Sequence, residues 1–178
     1  MIKQLKYKYN NSGISLSSSS NNNTVTGNTC YNNSYGISLS SSSNNTVTGN
    51  TCNNNNSYGI YLSNSSNNNT VTGNNCNNNN NSGIYLSSSN NNTVTDNTCI
   101  RGTGLSTDYT SSQHTIRLSG TTNNYNLIAI NNCMGKAVTN EGGTGNTLVN
   151  NKFDATYDAT YGVGEEDKFL LVRNGRWI

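Results

Sequence analysis

A single pattern of apolar and polar positions recurs four times between residues 9 and 99. Each repeat of 22 to 24 residues holds Gly-Ile-x-Leu, a Ser/Asn-rich segment, Thr-Val-Thr, and an Asn two residues before a Cys. The Ile-x-Leu spacing predicts a β-strand with one apolar face, because alternate side chains of a strand point to the same side. No segment carries a helical period. The apolar residues form four columns, namely Ile14, Ile37, Ile60 and Ile84; Leu16, Leu39, Leu62 and Leu86; Val25, Val47, Val71 and Val94; and Cys30, Cys52, Cys76 and Cys99.

One repeat has too few apolar residues to form a core of its own. Stacked coils bury these apolar residues together, because each one then lies ~4.8 Å from the equivalent residue of the next coil. We therefore predict an all-β fold: a single-stranded right-handed parallel β-helix (β-solenoid) of about six coils of 22 to 24 residues, with terminal caps. The Asn before each Cys predicts an asparagine ladder inside a turn, where Asn tolerates the left-handed conformation. This ladder consists of Asn28, Asn50, Asn74 and Asn97.

The pattern weakens after residue 99 but keeps its offsets. The later positions that match the columns are Ile116 and Leu118; Ile128, Asn131 and Cys133; and Leu148, Asn151 and Phe153. We expect caps at both ends, because the ends of a solenoid expose unpaired strand edges. The predicted organisation is an N-terminal cap at 1–8 (with Ile2, Leu5 and Tyr7), repeats at 9–153 with a long loop at about 101–113, and a C-terminal cap at 154–178.

Composition narrows the classes of function. Hydrophobic residues make up 30% of the chain and charged residues 10%, with a formal net charge of +2. Residues 9–95 contain no Asp, Glu, Lys, Arg or His, which argues against a nucleic-acid partner. No apolar run has transmembrane length, so we expect no membrane insertion, and no secretory signal is visible at the start. No motif indicates a cofactor.

The cysteines match no zinc-binding spacing, so no metal site is predicted. Neighbouring Cα atoms in a stack lie within disulfide range, but parallel side chains give poor torsions for an S–S bond. We favour free, buried thiols that act as small apolar residues, with disulfides as the alternative. The residues concerned are Cys30, Cys52, Cys76, Cys99 and Cys133.

The frame G-I-x-L-S-S-S-x-N-N-x-T-V-T-G-N-x-C resembles the right-handed parallel β-helix repeat superfamily, and most closely its NosD-like surface-protein branch. The resemblance covers roughly residues 9 to 153 and implies the fold. It implies no single function, because the superfamily includes pectate lyases, other polysaccharide-active enzymes, phage tail spikes and non-catalytic surface repeats. An extracellular or cell-surface location is expected from the family. The near-identity of the first four coils also fits an engineered or consensus solenoid.

NosD-like proteins are associated with copper-site maturation. We do not expect that role here, because the chain has one His, two Met, and cysteines in columns that look buried.

An enzymatic site would lie near the fifth coil, because the earlier coils have no acid or base before Asp96. A polysaccharide lyase or glycoside hydrolase needs clustered carboxylates and a base. No two acids share a column, so we favour an ordinary solvated loop. The residues that such an enzyme would use are Asp96, Asp108, His114 and Arg117, with Arg101, Lys136 and Glu141 nearby.

Two outward columns suggest binding surfaces. The x of Gly-Ile-x-Leu, or the equivalent position, is occupied in three successive coils by Tyr61, Tyr85 and Arg117. Aromatic rings beside a guanidinium group suit the binding of a sugar ring. The alternative is a stabilising cross-strand Tyr pair.

The threonines beside each Val form a flat array that resembles an ice-binding face. The alternative is that threonine is present there only because of its high β-propensity. The array consists of Thr24, Thr26, Thr46, Thr48, Thr70, Thr72, Thr93 and Thr95.

Taken together, these patterns predict a non-catalytic structural or surface-display β-helix whose partner, if it has one, is carbohydrate. The first alternative is a polysaccharide-binding or polysaccharide-cleaving module that acts around the coil-five loop. The second is an ice-binding solenoid that uses the Thr-x-Thr face.

Overall fold

Parallel strands stacked along one axis build the repeat region in the computed structural model. Within the part of the chain that the structure describes, every regular element is a β-strand. The predicted long loop and C-terminal cap lie almost entirely outside this part. The described residues are 1–3, 6–100, 113–153, 172–173 and 176–177.

The five six-residue strands and one two-residue strand form a six-stranded parallel sheet, which we call the long sheet. Five full turns of the chain connect its first strand to its sixth, slightly fewer than the roughly six coils predicted. Its strands are β3 (Ser12–Ser17), β6 (Tyr35–Ser40), β8 (Tyr58–Ser63), β10 (Ser82–Ser87), β12 (His114–Ser119) and β15 (Thr139–Asn140).

The four Thr-Val-Thr segments form the middle of a second, seven-stranded parallel sheet, which we call the threonine sheet. The Thr-Val-Thr strands are short because an Asn-rich turn lies on either side of each. The strands are β1 (Ile2–Lys3), β4 (Thr24–Thr26), β7 (Thr46–Thr48), β9 (Thr70–Thr72), β11 (Thr93–Thr95), β13 (Leu127–Ala129) and β16 (Thr147–Val149).

A third side of the coil carries shorter pairs near the cysteine column. Single parallel bridges connect the pairs from coil to coil, through Thr29, Thr51, Asn75, Thr98 and Asn132. The pairs are β2 (Lys6–Lys8) with β5 (Thr29–Tyr31), and β14 (Asn132–Cys133) with β17 (Lys152–Phe153). A separate antiparallel pair joins β18 (Val172–Arg173) to β19 (Arg176–Trp177).

The core consists of the predicted columns, stacked in register. Ile37 pairs with Ile60, and Val47 with Val71, so that each side chain meets its equivalent in the next coil. All sixteen side chains in the four columns are at most 5% exposed. The register continues to the end of the repeats, where Phe153 pairs with Cys133.

The predicted asparagine ladder is confirmed. Asn50 donates from Nδ2 to Asn74 Oδ1 at 3.0 Å, and Asn74 donates to Asn97 Oδ1 at 3.0 Å. The same contacts begin at Asn28 and continue to Asn151. Two further ladders occupy the other turns, and their members are Asn45, Asn69, Asn92, Asn126 and Asn146, then Asn33, Asn55 and Asn79.

The long strands bend at their glycine, and this bend determines which residues face outward. Gly59 and Ile60 are both buried, so strict alternation fails there and Tyr58 and Tyr61 both face outward. A Cβ on Gly59 would lie 2.5 Å from the carbonyl oxygen of Gly83 and 2.7 Å from Asn79 Nδ2. Only glycine therefore fits this column without displacing the next coil.

The N-terminal residues continue two of the sheets beyond the first coil. Ile2 pairs with Val25 and packs against the core, and Tyr7 pairs with Cys30. This placement agrees with the predicted N-terminal cap, although the capping role itself stays a prediction. The described residues include no helix with the length and apolar character needed to cross a bilayer.

Candidate functional site

Four tyrosines form one cluster on the outside of the long sheet, which we call the tyrosine face: Tyr35, Tyr58, Tyr61 and Tyr85. Tyr58 stacks on Tyr35 at 5.6 Å between ring centroids and on Tyr85 at 4.4 Å. Tyr61 is tilted by 35° to 49° relative to the other three rings. All four side chains are half-buried.

The register of the sheet explains this cluster. Tyr35 lies beside Tyr58, and Tyr61 lies beside Tyr85. The next residue in the column of Tyr58 is the small Ser82, which leaves room for the Tyr58 ring to lean towards Tyr85. Burial and the neighbouring Tyr85 raise the pKa of the Tyr58 hydroxyl, so this hydroxyl is neutral at physiological pH.

Arg117 closes one end of the tyrosine face. It pairs with Tyr85 in the sheet, and its guanidinium carbon lies 5.5 Å from the centre of that ring. Its Nε and Nη2 both donate to Glu141 Oε1 at 2.6 Å. The other carboxylate oxygen accepts bonds from Ser119 Oγ at 3.1 Å and from the Gly120 amide at 3.2 Å.

These contacts fix the charge of the pair. Burial by itself raises the pKa of Glu141, but the hydrogen bond and positive charge of Arg117 outweigh it, and the pKa lies below its ordinary value. The carboxylate is therefore ionised throughout the physiological range. Both side chains remain partly exposed, at 27% for Arg117 and 33% for Glu141.

The candidate residues of the enzyme hypothesis are only partly brought together. His114 lies beside Ser82 in the long sheet, and its Nδ1 is 2.9 Å from Thr139 Oγ1. Lys136 Nζ donates to the carbonyl oxygen of Gln113 at 3.2 Å.

Asp96 is placed elsewhere, in an exposed turn that follows the threonine sheet, with a φ of 57°. Arg101 and Asp108 lie outside the described residues. Among the described residues, the carboxylate at the tyrosine face is Glu141, which the sequence suggested only as a neighbour of the loop.

The threonine array also lies as the sequence predicts. Thr46 pairs with Thr24 and Thr70, and the valines between the threonines point into the core. The array ends at β13, where Leu127 and Ala129 replace threonine.

All five cysteines are buried, and none of them forms a disulfide. Burial raises the pKa of Cys52 and Cys76 well above the ordinary thiol value, and it also raises the pKa of Cys99. These groups therefore stay protonated, as the interpretation of small apolar core residues requires.

Comparison with known families agrees with this fold. The model of a family described as periplasmic copper-binding protein (NosD) matches residues 1–169. The chain belongs to the NosD family. A search of curated proteins finds no match.

One solved structure similar to this NosD-family chain is a double mutant of the periplasmic alginate epimerase AlgG. The TM-score is 0.59 and the sequence identity is 20%, and the match covers 85% of this chain. It covers 39% of the epimerase chain, so this chain spans well under half of that protein. The likeness shows the fold, and the predicted fold class, a single-stranded right-handed parallel β-helix, is confirmed.

The copper in the family's description does not fit the described residues of this chain. Copper sites use imidazole, thiolate or thioether ligands that reach one point. All five thiols are buried, burial keeps Cys52, Cys76 and Cys99 protonated, and His114 already has Thr139 at its Nδ1. No group of three or more His, Cys, Asp or Glu side chains in the described part of the chain is arranged to hold a metal ion.

Proposed function

We propose that this protein is a non-catalytic, surface-display β-helix that binds carbohydrate at its tyrosine face. The observation that carries the proposal is the convergence of four tyrosines with the Arg117–Glu141 pair on one side of the stack. Aromatic rings beside a few fixed polar groups are the combination that suits sugars, which have apolar ring faces and many hydroxyls.

The arrangement of the rings determines how a sugar would be held. Tyr35, Tyr58 and Tyr85 lie face to face, so they would offer ring edges and hydroxyl groups. Tyr61 is tilted and would offer more of its ring. The guanidinium and carboxylate of Arg117 and Glu141 supply planar donors and acceptors for neighbouring sugar hydroxyls.

The placement of acidic residues favours binding over cleavage. Glycoside hydrolysis uses two carboxyl groups that flank the scissile bond. In the described part of the chain Glu141 lies at the tyrosine face, whereas Asp96 follows a strand of the other sheet. A cleaving enzyme would need a further acid such as Asp108, from the segment outside the described residues.

We also propose a periplasmic or extracellular location, which the family's description supports.

A glycan array followed by titration calorimetry tests the proposal. We expect the unmodified chain to bind at least one class of glycan, and the double variant Tyr61→Ala/Tyr85→Ala to lose that binding. Tyr9→Ala is the matched control, because Tyr9 is 72% exposed and lies outside the cluster. Absence of any binder, or binding that survives in the double variant, would overturn the proposal.

A further inference from the structure

The outward side of the threonine sheet is a second regular surface, separate from the tyrosine face. Four strands place two threonines each on this side, in register from coil to coil. The spacing is ~4.8 Å between strands and ~6.6 Å along each strand. We call this surface the threonine face, and it consists of Thr24, Thr26, Thr46, Thr48, Thr70, Thr72, Thr93 and Thr95.

The hydroxyls of this surface are mostly unused by the protein. If the threonines served only to stabilise the sheet, hydrogen bonds between hydroxyls of neighbouring coils would be expected. One such bond is present, from Thr95 Oγ1 to Thr72 Oγ1 at 3.3 Å. The hydroxyls of the other six threonines have no protein hydrogen-bond partner in the structure, and they lie on the half-buried outer surface.

The array is held rigidly from both ends of each strand. Asn45 precedes Thr46 and bonds to Asn69 in the next coil at 3.1 Å. Asn50 follows Thr48, donates to the Thr48 carbonyl oxygen at 3.1 Å, and bonds to Asn74 at 3.0 Å. The hydroxyl positions are therefore fixed by two continuous ladders and by the buried valine column beneath them.

The chemistry of the surface indicates what it would bind. It is uncharged, because residues 9–95 contain no ionisable acid or base of the Asp, Glu, Lys, Arg or His type. It alternates hydroxyls, each with one donor and two acceptor sites, with methyl groups that make no hydrogen bonds. A rigid lattice of this kind can hold a lattice of ordered water with little further loss of conformational freedom.

We infer that the threonine face binds ice, with the ordered first layer of water held by the free hydroxyls. A crystalline polysaccharide is the competing flat ligand. The aromatic side chains that suit sugar rings lie on the long sheet, so the threonine face is better matched to water.

Thermal hysteresis and ice-affinity partitioning of the full chain test this inference. We expect measurable hysteresis, and its loss in Thr48→Tyr/Thr70→Tyr, where bulky rings break the flat array. Ser15→Tyr is the control with an equally large new ring, since exposed Ser15 lies on the long sheet. Thr48→Val/Thr70→Val keeps the shape and strand preference but removes two hydroxyls, so it should lower hysteresis without unfolding the chain.

Absence of hysteresis in the unmodified chain would overturn the inference, and so would hysteresis that persists in Thr48→Tyr/Thr70→Tyr. The inference would also be overturned if the unmodified chain bound crystalline cellulose or chitin rather than ice, and if this double variant abolished that binding. The test is independent of carbohydrate binding at the tyrosine face, because Tyr61→Ala/Tyr85→Ala should leave hysteresis unchanged.

Discussion

Single asparagine side chains stabilise the turns by bonding to the coils on both sides of their own. Asn74 Oδ1 accepts bonds from the Asn50 amide at 2.9 Å and from Asn50 Nδ2 at 3.0 Å. Its Nδ2 donates to Val47 O at 2.9 Å and to Asn97 Oδ1 at 3.0 Å. Because the side chain is 1% exposed, water cannot replace these partners when it is removed.

Asn74→Ala should therefore destabilise the protein by at least ~2 kcal/mol, since several buried polar groups lose their partners. Asn56→Ala is the matched control, because Asn56 is an exposed turn residue, and it should change stability by less than ~0.5 kcal/mol. Urea unfolding followed by circular dichroism measures both. Equal effects of the two substitutions would show that the ladder contributes nothing specific.

The asparagine ladders also show which buried polar residues can be predicted from the sequence. The ladder through Asn74 was predictable because its members keep a fixed offset from a conspicuous Cys. The ladder through Asn45 and Asn69 was missed, although Asn45, Asn69 and Asn92 each directly precede Thr-Val-Thr. In a chain so rich in Asn, the fixed offset is the signal that separates a buried ladder residue from a solvated one.

At the scale of the strand, the bend at the glycine column determined what sequence could and could not predict. Alternation correctly placed Tyr61, Tyr85 and Arg117 on the outside of the long sheet. The same rule would put Tyr58 on the side of Ile60, because the two residues are two apart. Since Gly59 and Ile60 are both buried, Tyr58 faces outward and completes the cluster, a contact that period-two reasoning cannot find.

Glu141 was difficult to place from the sequence for a related reason. It lies in the irregular coil after the loop, where no repeat offset assigns a column. The structure brings it to Arg117 across 24 residues of chain.

The Arg117–Glu141 contact predicts a pH-dependent contribution to stability. The pKa of Glu141 is lower in the folded state, so its contribution is fully present above the unfolded-state pKa of ~4.3 and is lost as the pH falls through the folded-state value. The pair is partly exposed, so Glu141→Gln should cost less than about 1 kcal/mol at pH 7 and close to nothing at about pH 2. Unfolding free energies of both proteins across this range measure the effect. A difference that does not change with pH would contradict this origin.

At the scale of the whole molecule, the fold separates a neutral scaffold from two candidate surfaces. The first four coils have almost identical sequences, and their ladders of Asn, Ile, Leu, Val and Cys reinforce the same register. The tyrosine face lies on the long sheet and the threonine face on the threonine sheet, so each can be altered separately. Both proposals depend on in-register stacking, because a shift of one residue in any coil would turn the array of that coil towards the core.

Methyl–methyl nuclear Overhauser contacts in a Val-labelled sample test that stacking most directly. In-register stacking predicts strong contacts between the methyls of Val47 and those of Val25 and Val71, which lie ~4.8 Å away in the direction of the hydrogen bonds between strands. It predicts none between Val47 and Val94, two coils away at about 9.6 Å. Contacts between Val47 and Val94, or their absence between Val47 and Val71 in the folded protein, would contradict the in-register β-helix.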